Sequence, residues 1–305
     1  MGVSQSSTSP DGFSNSYKLD VNNADTSIGA AEFVFIRHKL EAQNLQQLAY
    51  GTSGAKSITL SFYVRSNVTG TYAICLQQKD NSSKQVNGSY TINSADTWER
   101  KTFTYAGDTS GVINNDSGHG LDILWTLAAG SDRTSGSVRS TWTAHANADE
   151  SVGQTANILH STSNNFHLTG VQLEVGSVAT DFEHRSFGQE LALCQRYFYK
   201  TYDYGTAVGT NTTTGAFVRS LSTSQAYAAM SSVRYPVTMR AAPTVTAYST
   251  QNANTTGVMS ADASDKTIAI HYIGHNGHFP FINNSSSGVT VNVFLRHQFT
   301  ADSEL

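Results

Sequence analysis

Charged residues, prolines and cysteines are all scarce in this chain of 305 residues. Only 14% of its residues are Asp, Glu, Lys or Arg, whereas globular domains average roughly 25%. The two cysteines, Cys75 and Cys194, exclude a disulfide framework. A single bridge between them and two isolated buried thiols both remain open, and we favour the buried thiols. The polar residues are mainly Ser, Thr, Asn and Gln, a composition that suits extracellular or virion β proteins better than cytosolic enzymes.

Other absences narrow the class of partner. The chain has 19 Lys and Arg against 23 Asp and Glu, and no basic run, so we expect no nucleic-acid partner. It has no apolar run of about eighteen residues, so we expect no membrane insertion. Its first residues, Met1-Gly2-Val3-Ser4, lack the basic and apolar regions of a secretory signal, and none is expected.

Motifs of the common enzyme and cofactor sites are also missing. The sequence contains no Gly-x-Ser-x-Gly, no Walker loop, no His-Glu-x-x-His and no Cys-x-x-Cys. Cys194 lies among aliphatic residues and is interpreted as a packing residue rather than a nucleophile. We therefore expect a protein without catalytic residues and without a cofactor.

Alternation of apolar and polar residues is the dominant pattern. In 57–66, Ile58, Leu60, Phe62 and Val64 fall on one face, which is the period of a half-buried strand. No crossover helices separate such runs, which excludes a parallel α/β sheet and favours an all-β antiparallel jelly-roll sandwich. A hairpin turn is predicted at 67–70 and a polar loop at 79–88. Further strands are predicted at 34–40, 71–77, 98–105, 121–127, 166–175, 216–221, 244–248, 267–272 and 289–299.

The period changes to that of a helix between residues 186 and 199. Ser186 and Gln189 form a capping-box pattern in front of the apolar run. We predict a jelly-roll domain at 1–185, a short connecting helix at 186–205 and a second, smaller β-sandwich at 206–305. The apolar residues at helical spacing are Leu191, Cys194, Tyr197 and Phe198.

Three neighbouring runs carry a family resemblance. They are Gly170-Val-Gln-Leu-Glu-Val-Gly176, Ala179-Thr-Asp-Phe-Glu-His-Arg185 and Glu190-Leu-Ala-Leu-Cys-Gln-Arg-Tyr197. Together they resemble a module of tailed-phage virion proteins, often tail fibres or similar appendages, whose pattern usually has Pro in place of Asp181. The N-terminal half is also similar to the jelly roll of carbohydrate-binding modules, through the strand after Trp98 and the run Gln172-Leu-Glu174.

The resemblance implies a structural protein located in the virion, in a tail or head appendage. It further implies a homotrimer that contacts other virion proteins and displays a β domain for attachment to a host-surface glycan. Two alternatives stay open: a head fibre or capsid decoration protein, and a glycan-binding module of a secreted polysaccharide-active enzyme. A glycan depolymerase would need paired carboxylates about 5–10 Å apart, for which the sequence shows no constellation.

Ionisable and apolar residues around the predicted helix are candidates for interdomain or oligomer contacts. An acid–base cluster at 181–185 was the alternative, but alternate residues of an extended segment face opposite ways. The helix carries more aromatic residues than one solvent-facing helix could bury alone, which predicts chain contacts there. The contact candidates are Phe182, Glu183, Arg185, Leu191, Cys194, Tyr197 and Phe198.

Aromatic residues are the glycan candidates, because an aromatic face attracts sugar C–H groups. Trp142, which lies in a polar segment, is the first choice, followed by Trp98 and Tyr204. The alternative for Trp142 is a ring packed under a long loop.

Metal sites are weaker hypotheses, and the prediction is that no metal is bound. His275 and His278 could meet in a loop around a metal ion, or be ordinary loop and edge-strand residues. Oxygen-rich runs at 108–111 and 114–118 could hold Ca²⁺, although turn chemistry explains them equally well.

Overall fold

The computed structural model describes residues 1–80, 83–221, 227–261, 264–283 and 293–305. The chain divides into two compact units, Met1–Glu183 and His184–Leu305. The predicted helix therefore belongs to the second unit, which begins two residues before the predicted start of that helix at 186.

Within the N-terminal unit, residues 1–80 and 83–183 form ten strands and one short helix, with 3₁₀ turns at Ala42–Leu48, Asn147–Asp149 and Ile158–His160. These elements are β1 Gly2–Ser6, β2 Ser16–Asp20, β3 Phe33–Glu41, β4 Ile58–Ser66, β5 Gly70–Gln78, β6 Lys84–Ile92, β7 Glu99–Tyr105, β8 His119–Ala129, α1 Ser131–Thr134, β9 Thr143–Ala144 and β10 Asn165–Val175.

Two five-stranded antiparallel sheets form this unit. Their strand orders are β1-β2-β10-β4-β7 and β3-β8-β5-β6-β9. The chain crosses repeatedly from one sheet to the other. The first sheet contributes β2, β10, β4 and β7, which face β3, β8, β5 and β6 of the second sheet. This is the strand order of a jelly roll. Apolar faces of both sheets meet in one core, where the ring of Phe62 contacts Tyr90 and Trp125 with centroid distances of 5.4 and 5.6 Å. The predicted all-β jelly-roll sandwich is confirmed.

Two local predictions in this unit are wrong. Residues 67–70 do not form a hairpin turn, because β4 pairs with β10 and β7 in one sheet while β5 pairs with β6 and β8 in the other. The turn instead carries the chain from one sheet to its partner. Residues 84–88 are not a loop but the first half of β6, whose polar Gln85 and Asn87 are buried under the segment 131–157.

The described part of the C-terminal unit contains one helix and ten strands. They are α2 Phe187–Gln195, β11 Phe198–Lys200, β12 Phe217–Leu221, β13 Tyr227–Ala229, β14 Val233–Arg234, β15 Thr244–Tyr248, β16 Val258–Ala261, β17 Ser264–Thr267, β18 Ala269–Gly274, β19 Gly277–Asn283 and β20 Val293–Asp302.

The long strand β20 organises one sheet of this unit, since β11, β12, β15 and β16 all pair with it and β17 extends β16. The other sheet forms around β19, with β18 on one side and β13 and β14 on the other. The core of this unit has two clusters of buried apolar residues. One includes Leu295 of β20 and Met230, and the other includes Phe299 of β20 and Val233 of β14. The predicted smaller β-sandwich is confirmed. The predicted strand 289–299 is β20 from residue 293 on, and 289–292 lie outside the described residues.

Helix α2 begins with the predicted capping box. The Ser186 hydroxyl accepts from the backbone N–H of Gln189, and the Gln189 side chain accepts from the backbone N–H of Ser186. The helix ends at Gln195, and β11 begins at Phe198. The prediction that Tyr197 and Phe198 belong to the helix is therefore wrong. Within the described residues, no helix has the length and apolar character needed to cross a bilayer.

Candidate functional site

Trp142 is packed against the core of the N-terminal unit rather than displayed. Its indole N–H donates to the carbonyl of Ala106 at 2.9 Å, and its ring meets the edge of Tyr50 at a centroid distance of 5.6 Å. These contacts match the alternative of a ring held under a long loop. They leave only part of the indole for a ligand.

Trp98 is likewise half-buried, beside the buried His167 at a centroid distance of 5.9 Å. The indole nitrogen of Trp98 is buried and has no hydrogen-bond partner among the described residues. His167 shares a 3.1 Å hydrogen bond with the Ser16 hydroxyl, and burial, followed by the charge of Arg65, lowers its pKa to about 4. The Trp98 ring is therefore occupied in part by its contact with His167, and only the remainder is open to a ligand.

Tyr204 is displayed, unlike the two tryptophans. It is 65% exposed, and its ring makes an edge contact with Phe187, itself 71% exposed, at a centroid distance of 5.9 Å. This pair of rings is open to solvent in the isolated C-terminal unit.

The contact candidates around α2 lie mostly at the surface. Phe182 packs edge-on against Phe13 at 5.0 Å. Arg185 forms a 3.3 Å ion pair with Glu190, and both side chains are exposed. The remaining apolar candidates are half-exposed or exposed: Leu191, Cys194, Tyr197 and Phe198.

The two thiols differ from the prediction in part. Both cysteines are free, which excludes a bridge between them. Cys75 is buried, as predicted, but Cys194 is exposed, because no residue of α2 is buried within its unit.

The metal-candidate histidines do not converge. His278 is buried and shares a 3.0 Å hydrogen bond between its Nδ1 and the Tyr235 hydroxyl, whereas His275 lies exposed in the turn after β18. Across the described part of the chain, no group of three His, Cys, Asp or Glu side chains is arranged to hold a metal ion.

The most exposed aromatic ring of the described chain belongs to Tyr272, in the hairpin formed by β18 and β19. Strand pairing places His271 opposite Phe279, and Ala269 opposite Phe281, on the outer face of this sheet. His271 and Phe281 meet edge to face at 5.9 Å, and Tyr272 lies 6.2 Å from Phe279. We call this group of four, His271, Tyr272, Phe279 and Phe281, the hairpin platform.

A backbone irregularity turns Tyr272 outward. The pairing register shifts between His271 and Gly274, and Tyr272 adopts a left-handed φ of 52° with its side chain 88% exposed. A left-handed conformation is costly for an aromatic residue, roughly 1–3 kcal/mol, and such strain concentrates at binding sites. The backbone thus holds the Tyr272 ring in solvent, although burying an aromatic ring would lower the free energy of the folded chain.

Hydrogen bonds connect the tip of the hairpin to the segment 235–239. The carbonyl of Asn276 accepts from the backbone N–H of Tyr235 at 3.1 Å, and that of His275 accepts from Met239 at 2.9 Å. The Thr238 hydroxyl donates to Asn276 Oδ1 at 2.8 Å. Because the hairpin backbone is anchored, only the exposed side chains remain to be ordered when a ligand binds.

The platform offers aromatic faces and one imidazole, which suit stacking against a ring-shaped ligand. The sequence pattern did not predict this platform, because His275 and His278 of the same segment were interpreted as possible metal ligands. The sequence does contain a signal for the platform. Phe279 and Phe281 alternate with His278 and Pro280, which places the two phenylalanine rings on one face of a strand.

Comparisons with known proteins identify no family. No protein-family model and no curated protein matches the sequence. Among solved structures, a family 16 carbohydrate-binding module is similar at 12% identity and a TM-score of 0.29, over 56% of this chain and 84% of that one. A family 4 carbohydrate-binding module is similar at 14% identity and a TM-score of 0.30, over 57% and 77%.

A phage protein is also among the similar structures. The enzymatically active domain of tailspike protein 4 from bacteriophage CBA120 is similar at 9% identity and a TM-score of 0.32, over 57% of this chain and 18% of that one. At identities and TM-scores this low, a likeness assigns no function, which depends instead on the surface residues of this chain.

Proposed function

We propose that this chain is a non-catalytic, glycan-binding subunit of a tailed-phage virion appendage of the tail-fibre type. The observation that carries the glycan-binding part is the hairpin platform, with Tyr272 88% exposed in a strained backbone conformation. The phage part depends on the motif residues, which lie on β10, on the segment that follows it and on α2.

A sugar is the ligand class that the platform's chemistry favours. Sugar rings present C–H groups that stack on the electron-rich face of an aromatic ring. Tyr272 and His271 also carry polar atoms at the rim, which can hydrogen-bond to hydroxyl groups. The amide and hydroxyl side chains of Asn276 and Thr238 lie at the same hairpin tip. Rings in the middle with polar groups around them are the arrangement of a saccharide site.

Replacing Tyr272 with Ala is expected to weaken binding of a host-surface glycan roughly tenfold, which corresponds to about 1.4 kcal/mol of lost stacking. The measurement is a glycan array of host-envelope saccharides probed with the labelled intact chain, followed by titration calorimetry on the best ligand. Because Tyr272 is solvent-exposed, its removal takes away no core contact.

Tyr17→Ala is the control, since Tyr17 is a 40% exposed tyrosine of the N-terminal unit, outside the platform and outside the candidate residues. Equal affinity of the Tyr17→Ala variant and the native chain, with loss in Tyr272→Ala, supports the platform. Equal affinity of all three chains would contradict it. Absence of reducing sugar released from the bound glycan supports binding without catalysis.

Position on the particle tests the virion assignment separately. Antibodies against this chain, visualised by electron microscopy of purified phage, are expected to label a tail appendage. Label on the head would favour a head fibre or decoration protein, and absence from the particle would contradict a virion role.

Helix α2 supports a homotrimer as part of the proposal. It has nine residues, of which none is buried, and exposes Phe187 and Leu193 at 71% and 47%. Isolated helices shorter than about 12–15 residues are marginal in water, so a helix of this length needs packing to persist. A second and a third copy of the chain would supply that packing at Phe187 and Leu193 and at the neighbouring apolar residues predicted from the sequence.

Light scattering of the purified native chain is expected to give three times the 32.8 kDa subunit mass. The variant Leu193→Asp is expected to be a monomer, because the substitution places a charge in the contact between subunits. Val178→Asp is the control, since Val178 is a 71% exposed apolar residue of the N-terminal unit. A monomeric native chain at micromolar concentration would contradict the trimer.

A further inference from the structure

The outer face of β3 carries a second group of aromatic residues, this time combined with cationic ones. Val34 and Ile36 pack on the core of the N-terminal unit, so Phe33, Phe35 and Arg37 point to the opposite side of the sheet. The rings of Phe33 and Phe35 stack with centroids 4.9 Å apart, and Phe33 is 40% exposed.

Two guanidinium groups share this pair of rings. Arg133 of α1 lies over Phe33, with its Cζ 3.6 Å from the ring centroid. The Cζ atoms of Arg37 and Arg133 lie 5.2 and 6.0 Å from the centroid of Phe35. We call Phe33, Phe35, Arg37 and Arg133 the guanidinium–aromatic face.

Buried carboxylates position both arginines from below. Asp122 of β8 is fully buried, and its Oδ2 lies 3.6 Å from Arg37 Nε and 3.4 Å from Lys79 Nζ. Glu150 is paired with Arg133. Each guanidinium group is therefore positioned by a carboxylate, as a preorganised site requires.

Among the described residues, Asp122 is the ionic partner of Arg37, whereas Arg133 lies near both Glu150 and Asp132. Within the described residues, the two terminal amino groups of Arg37 make no hydrogen bond, and the Arg37 side chain is 39% exposed. Burial and then the nearby charge of Arg37 hold the pKa of Arg133 below its ordinary value. An anion placed beside Arg37 would relieve this repulsion and take up the free N–H groups.

We propose that the guanidinium–aromatic face binds a saccharide through an anionic substituent, a carboxylate, sulfate or phosphate. The terminal amino groups of Arg37 donate to the anion as a planar fork, and the exposed ring of Phe33 contacts the sugar to which the anion is attached. This site is separate from the hairpin platform, because it lies in the N-terminal unit and recognises charge.

The test is titration of the intact chain with polygalacturonate, dextran sulfate, neutral dextran and inorganic phosphate. The native chain is expected to bind one or both polyanions, more weakly as salt is added, and to leave neutral dextran unbound. Comparing the first two distinguishes a carboxylate from a sulfate. Binding of inorganic phosphate as tightly as the polyanions would overturn a saccharide ligand.

Variants separate this site from general charge attraction. Arg37→Gln is expected to weaken polyanion binding at least tenfold and Arg37→Lys less, because Lys keeps the charge but loses the fork. Lys18→Gln removes the same charge from the other sheet, and Tyr272→Ala removes the hairpin platform; neither is expected to matter here. No polyanion binding, or equal binding by Arg37→Gln, Lys18→Gln and native chains, would overturn the proposal. Should Arg37→Gln unfold, Arg37→Lys, which retains a cation beside Asp122, provides the decisive comparison.

Discussion

Acidification from pH 7 to pH 5 is expected to destabilise the C-terminal unit by about 4 kcal/mol, because each of two buried neutral histidines contributes about 2 kcal/mol over that range. They are His278 of β19, 3% exposed, and His297 of β20, which is fully buried.

The surroundings of the two rings are apolar. Both contact the ring of Phe299, His278 at a centroid distance of 4.7 Å and His297 at 5.9 Å. Neither nitrogen of His297 has a hydrogen-bond partner among the described residues, and the same holds for Nε2 of His278. Burial lowers the pKa of His278 to about 4; burial and then the charge of His278 lower that of His297 to about 3.

The sign of the effect follows from these values. The unfolded chain takes up protons on both histidines as the pH falls through 6.5, whereas the folded unit does so only near 4 and 3. The unfolded state therefore binds more protons between these limits. Stability is fully present above pH 6.5 and is lost progressively as the pH falls toward 4.

Hydrogen exchange of the amides in β19 and β20, corrected for the intrinsic pH dependence, measures this loss. His297→Leu is expected to remove about half of it, and to leave the unit no less stable at pH 7 because an unsatisfied polar ring is replaced by an apolar side chain of similar size. His275→Leu, at an exposed position, is the control. An unchanged pH dependence in His297→Leu would contradict the assignment.

Glu150→Ala is expected to destabilise the N-terminal unit by about 3–5 kcal/mol, because it leaves buried charged and polar partners uncompensated. Glu150 is 6% exposed. Its Oε1 accepts from Gln77 Nε2 and from His145 Nε2, each at 2.8 Å, and its Oε2 is paired with Arg133. The carboxylate thus ties the segment 131–157 to the sheet beneath it.

Thermal unfolding of the intact chain is the measurement for this variant. In a domain of this size, a loss of about 4 kcal/mol corresponds to a decrease in Tm of roughly 10 °C. Glu150→Gln keeps an acceptor for Gln77 but loses the charge opposite Arg133, so an intermediate decrease is expected. Asp132→Ala changes an exposed carboxylate of the same segment and should alter Tm by little. Equal Tm values for Glu150→Ala and Asp132→Ala would contradict the network.

Local pattern was sufficient wherever one face of an element is apolar and the other polar. The alternation in 57–66 predicted β4, and the one in 121–127 predicted the centre of β8. The capping box of α2 was predicted from Ser186 and Gln189 because all its atoms lie within one helical turn. These features depend on neighbours in the chain, which sequence displays directly.

Local pattern failed where burial is supplied by a distant segment. Gln85 and Asn87 of β6 look like loop residues, yet the carbonyls of Ala146, Ser137 and Asp149 accept from their amides and bury them. Trp142 looked available for sugar because its sequence neighbours are polar, but Tyr50 and Ala106 cover it from elsewhere in the chain.

By itself, the sequence determined the all-β class, the place of the helix and the scarcity of surface charge, since each depends on composition or on spacing of a few residues. Only the tertiary structure decided which strands pair, which aromatic rings remain in solvent and which carboxylates lie beneath cationic side chains. Antiparallel sheets join segments that are far apart in the chain, such as β10 with β2 and β4, so the surroundings of a side chain come from residues that its own stretch does not contain.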